Sequence, residues 1–132
     1  MARRRSKTLT ELELEIMQVI WEAREPIGVE DIRARLKEQG NAYAPATIRT
    51  MLGILRDKRY LTRKKSGRGF LYQALVDREK AQSGIVADLL HRVFDGSAAA
   101  LTAALLGSGK VTRKELNAIH RLLNRDEKEP EA

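Results

Sequence analysis

The chain of 132 residues has no cysteine. That excludes a disulfide framework, a thiolate metal site and a thiol nucleophile. Aromatic residues make up only 5%, which makes RNA binding through an exposed ring platform a weaker reading. No apolar run approaches the length needed to span a bilayer. The opening MARRRSK is basic but has no apolar signal-peptide core, so a cytoplasmic protein is expected. A nucleophile elbow, a phosphate-binding glycine loop and a metal-ligand cluster are all missing. His91 and His120 stand isolated in helical segments, and Glu11, Glu13 and Glu15 read as a charged helix face. The expectation is therefore not an enzyme, with no cofactor and no metal.

Positive charge is present, and it is unevenly placed. The net charge is +7. Residues 1–76 carry 16 Lys/Arg against 9 Asp/Glu, whereas residues 77–132 carry 9 of each. The whole excess lies in the first part. From Lys58 to Val76 there are six basic residues and no acidic one. This distribution fits a polyanion-binding module joined to a neutral one.

Periodicity places the elements. Thr10 and Glu13 form a capping box, with the hydroxyl and the carboxylate covering free backbone amides. The helix it opens runs to about Ala23 with Leu12, Ile16, Val19 and Ile20 inward. Pro26 to Gly28 leaves room for a very short strand. A second helix over roughly Val29–Gln39 is expected to bury Val29, Ile32 and Leu36, and Gly40 suits its end. Pro45 sits in the first turn of a third helix, which buries Ile48, Met51, Leu52 and Leu55. Thr47, Arg49, Thr50, Gly53 and Arg56 take its opposite face. Two strands, Leu61–Lys65 and Phe70–Leu75, flank Ser66 to Gly69, a hairpin signal. The pattern is mainly α with a small β-hairpin: a winged helix-turn-helix over residues 9–76, preceded by a flexible basic tail over 1–8.

A different regime begins at Asp77. A helix from about Arg78 to Phe94 carries Ile85, Leu89 and Val93; a short one from Ala98 to Leu106 carries Leu101 and Leu105. A second capping box, Thr112 with Glu115, opens a last helix with Leu116, Ile119 and Leu123. Residues 77–125 are a helical region with more apolar surface than so small a unit can bury alone. Homodimerisation through these residues is expected; the competing expectation is that the helices fold back onto the first unit. The acidic end, 126–132, is expected to fray.

Candidate DNA contacts follow from this layout. Early positions of a recognition helix face base edges, and Arg49 can fork onto guanine N7 and O6, with Thr47 and Thr50 beside it. Arg63, Lys64, Lys65 and Arg68 are wing contacts to phosphate or minor groove, although strand alternation prevents all four from facing one way. Tyr43 has two open readings, a contact to the DNA backbone or packing against the turn. Arg3 to Arg5 likewise read as a minor-groove arm or as a solubilising tail.

These residues carry a family resemblance. LTELELEIMQVIW, VEDIRARL, AYAPATIRTMLGILRDKRYLTRKKSGRGFLYQALVDRE, FDGS and VTRKELNAIHRLL resemble penicillinase repressors of the BlaI/MecI type, over roughly Leu9 to Leu123. The resemblance implies a homodimeric repressor on a palindromic operator, with a C-terminal helical dimerisation region. It also implies a link to a membrane sensor-protease pathway, in which the repressor is cut at an Asn–Phe bond. Ala104–Leu105 stands at that place here. A copper-responsive branch of the superfamily uses C-terminal cysteines, and none exist in this chain. The alternative function is a winged-helix protein–protein module without specific DNA binding.

Overall fold

A computed structural model describes residues 9–128, with side chains as far as 125; the Arg3–Arg5 tail lies outside the described residues. The element order is α1 (Glu11–Ala23), α2 (Val29–Glu38), α3 (Pro45–Asp57), β1 (Leu61–Ser66), β2 (Gly69–Ala74), α4 (Arg78–Val93), α5 (Ala98–Gly107) and α6 (Arg113–Lys128). Helix α6 thus continues past 125 into the segment expected to fray. The chain divides into two compact units, with the boundary between Asp88 and Leu89. That boundary falls inside α4 rather than at Val76, because the first turns of α4 pack on the first unit: Ala81 is 2% exposed.

Helix starts follow the local chemistry. The Thr10 hydroxyl accepts from the Glu13 amide at 3.3 Å, which is one half of the expected capping box. The reciprocal half is replaced. Glu13 is buried, and its carboxylate accepts from Lys58 Nζ at 2.7 Å. Nor is it part of a solvated charged face, as the sequence led us to expect. A buried ammonium is a stronger partner for a carboxylate than a neutral amide at the helix rim.

Helix ends are equally explicit. Gly40 has φ +88°, and the amides of Gly40 and Asn41 reach back to the carbonyls of Lys37 and Leu36. These paired bonds form a Schellman cap that stops α2 and turns the chain into α3. The end of α3 repeats the device with Arg59, at φ 65°, where glycine is usual; Arg59 and Tyr60 amides bond to Arg56 and Leu55 carbonyls.

The hairpin closes more tightly than the sequence suggested. Ser66 pairs with Gly69, so both belong to strands and only Gly67 and Arg68 form the turn. Gly67 has φ +59° while Arg68 keeps an ordinary φ. A positive φ at the first turn position alone fits a type II′ turn, whose twist suits a hairpin. Ile27 exchanges both backbone hydrogen bonds with Tyr72, at 3.0 and 2.8 Å, as the short third strand.

The core of the first unit is largely where periodicity placed it, although Leu12, Val29 and Met51, expected inward, are only half-buried against it. Ile16, Ile20, Ile32, Leu36, Ile48, Leu52, Leu55, Leu61 and Tyr72 are buried together. Met17 is also buried completely. In the second unit, Ser97 and Thr112 hydroxyls cap α5 and α6 by accepting from the amides of Ala100 and Glu115. Among the described residues, none after Ala81 is buried. No single described helix is long and apolar enough to cross a membrane.

Candidate nucleic-acid interface

Helix α3 buries one side and presents the other. Ile48, Leu52 and Leu55 have no exposed surface, which turns Arg49, Thr50 and Arg56 outward. The hairpin follows after only three residues and stands beside this outward side. Between them lies a cleft of about 490 Å³, lined by Arg49, Gly53 and Arg56 of α3, Arg63, Ser66, Arg68, Phe70 and Tyr72 of the hairpin, and Gly28 to Glu30. Four arginines line it against a single carboxylate, that of Glu30, which sits 3.3 Å from Arg33 Nη1. Arg63 is held by its neighbour: its guanidinium carbon lies 3.7 Å from the centre of the Phe70 ring. Such stacking fixes the plane of a guanidinium while leaving its edge donors outward for an anion.

The register shows which wing residues share a face. Arg63 lies opposite Tyr72 and Lys65 opposite Phe70, so both belong to the face that carries Leu61. Lys64 lies opposite Leu71 on the other face. Arg49, Arg63 and Arg68 therefore come together at the cleft, whereas Lys64, Lys65, Thr47 and Thr50 do not line it. Thr50 is exposed, and its hydroxyl donates to the Ala46 carbonyl at 3.0 Å, leaving its lone pairs available as acceptors.

Tyr43 is engaged within the protein. It packs against the core, and its hydroxyl donates to Glu15 Oε2 at 2.9 Å. That bond, then burial, then the charges of Glu15 and Glu11 raise the phenol above its ordinary pKa. Arg33 Nε donates to the Tyr43 carbonyl at 3.0 Å, tying the turn before α3 to α2. Arg56 was absent from the sequence-derived candidates. The signal was there, since Arg56 follows Arg49 by two helical turns on the same side.

The expected dimer residues are wholly or partly exposed. Val93, Leu105 and Leu123 are exposed at 64, 49 and 56%, and Ile85, Leu101, Leu116 and Ile119 are half-buried. Among the described residues, no group of three or more histidines, aspartates or glutamates could hold a metal ion.

A profile of the penicillinase repressor family matches residues 9–125. The chain belongs to the penicillinase repressor family. It is 27% identical over 115 residues to the penicillinase repressor of Bacillus licheniformis, covering 87% of this chain and 88% of that protein. It is 23% identical over 117 residues to the methicillin resistance regulatory protein MecI of Staphylococcus aureus (strain N315), covering 89 and 94%. Among solved structures it resembles the DNA-binding domain of the repressor BlaI, with a TM-score of 0.50 and 31% identity over 59% of this chain and 93% of that one. The first unit is thus a winged helix in a family of DNA-binding repressors.

Proposed function

We propose that this protein is a cytoplasmic, sequence-specific transcriptional repressor that binds a palindromic operator as a homodimer. The observation that carries this reading is the cleft between α3 and the hairpin, with its four arginines. Arg49, in the N-terminal half of α3, is positioned to read a base edge in the major groove. Arg56, Arg63 and Arg68 hold the backbone beside it, together with Lys64 and Lys65 on the exposed wing. The name of the Bacillus relative and the BlaI domain's role in DNA binding support the same reading. The exposed apolar side chains of α4, α5 and α6 supply the surface for a second copy, and a two-fold dimer matches a two-fold operator. A signal then releases the repressor. If release is proteolytic at Ala104–Leu105, α5 must open first, because that bond lies inside the helix.

The test is selection of genomic fragments on the purified protein, followed by binding to the selected duplex at several salt concentrations. Neutralising ~6–10 phosphates predicts a loss of roughly 10³–10⁵ in affinity between about 50 and 200 mM salt. Arg49→Ala is expected to relax sequence preference. Lys64→Ala should weaken all duplexes alike and reduce the salt slope by about one. Absence of duplex binding even at low salt would leave the protein–protein module as the better reading.

A further inference from the structure

Two elements of the first unit converge on the connector between β2 and α4. Tyr60, which completes the cap of α3, accepts through its carbonyl from the Leu75 amide at 2.9 Å and the Val76 amide at 3.4 Å. The Val76 carbonyl accepts from the indole Nε1 of Trp21, on α1, at 2.9 Å. The root of α4 follows directly. The Asp77 carboxylate caps it by accepting from the Lys80 amide at 2.8 Å. The Arg78 guanidinium lies 5.7 Å from the centre of the Trp21 ring and 3.9 Å from the Glu22 carboxylate. The connector is therefore fastened to α1 on one side and to the end of the reading helix on the other.

We infer that the Trp21–Val76 hydrogen bond is a latch that fixes the direction in which α4 leaves the DNA-reading unit, and so sets the half-site spacing the dimer accepts. This rests on the reading of the chain as a dimeric operator-binding repressor. A helix of 16 residues is about 24 Å long. A swing of about 10° at its root moves the far end by about 4 Å, more than the ~3.4 Å step between base pairs. A loose root lets two reading helices settle on sites one base pair too near or too far. A fastened root does not. Indole suits the task because its ring has few rotatable bonds and one directed donor. Arg78 at the ring is a positioning residue for that donor.

The experiment uses the full chain and duplexes carrying one selected half-site, two at the selected spacing, or two displaced by one base pair either way. The wild type is expected to prefer the selected spacing by about tenfold or more, because a misplaced second site forfeits simultaneous engagement. Trp21→Phe keeps the ring and removes the donor. One lost hydrogen bond in each protomer is worth about fivefold apiece, so the preference should fall to about threefold or less while single half-site affinity stays within about twofold. Arg78→Ala should give an intermediate preference, and it carries the test alone if thermal melts show Trp21→Phe unfolded. A Trp21→Phe protein that keeps the full preference, or loses single half-site binding as well, overturns the latch. So does a wild type indifferent to spacing. A wild type that binds no half-site at all refutes the operator reading instead.

Discussion

Leu52 of α3 and Leu123 of α6 are both leucines on amphipathic helices. The first has no exposed surface and the second is 56% exposed. The same contrast separates the regions around them. The first unit closes its core from α1, α2, α3 and the hairpin, whereas α5, the most apolar of the described helices, has no fully buried residue. The difference teaches that hydrophobic content does not say where a core is completed. Helices α1 to α3 present their stripes to one another across short turns. Helix α5 carries apolar residues all round, so no arrangement within one small unit covers it.

The strongest way to break the contrast is to damage the first unit at the buried Lys58–Glu13 charge pair. Lys58→Met leaves the carboxylate of Glu13, whose side chain is 4% exposed, without the ammonium 2.7 Å away. The expected cost is about 3–5 kcal/mol in denaturant unfolding, and the double change Glu13→Leu with Lys58→Met should return most of it. Equal losses in the single and double variants would show that packing, not charge, matters there.

The next comparison is between the two leucines. Leu52→Ala should lower stability by about 2–5 kcal/mol at any protein concentration. Leu123→Ala should stay within about 0.5 kcal/mol when the protein is dilute. Its effect should appear as weaker self-association, read by sedimentation over a concentration series. A large, concentration-independent loss at Leu123 would mean that the second unit closes its own core.

Two smaller effects sharpen the account of the first unit. Arg59 occupies a left-handed position at the end of α3, so Arg59→Gly should stabilise by about 0.5–1 kcal/mol in thermal unfolding. Tyr43 gives the weakest effect and a pH signature. Its raised pKa means that its contribution is present at neutral pH and disappears as pH climbs through that value, above about 10. Tyr43→Phe should therefore show a shallower alkaline fall in melting temperature than the wild type. Parallel curves would remove the Glu15 bond from the explanation.

Local patterns made much of this legible. Ile48, Leu52 and Leu55 declared the buried side of α3, and Gly67 between two strand-like runs declared the hairpin. Alternation correctly forbade the wing residues from all facing one way. The unreadable part was long-range. Glu13 looks like a capping-box residue because its neighbours say so; its partner Lys58 is 45 residues away. Tyr43 left two readings open because Glu15, which takes its hydroxyl, lies on another helix. The boundary within α4 was hidden for the same reason, since the packing of Ala81 depends on contacts that no local period encodes. Spacing alone put Arg56 on the outward side of α3, two turns after Arg49.

The uncovered apolar residues of α4 to α6 bear on gene control as well as on folding. On the dimer reading, the amount of operator-competent protein rises with roughly the square of chain abundance when copies are scarce. Each added molecule then counts for more than the last, and occupancy climbs more steeply than a lone reader allows. A modest drop in synthesis would thin the paired form disproportionately and open the promoter without any change in the reading helix itself.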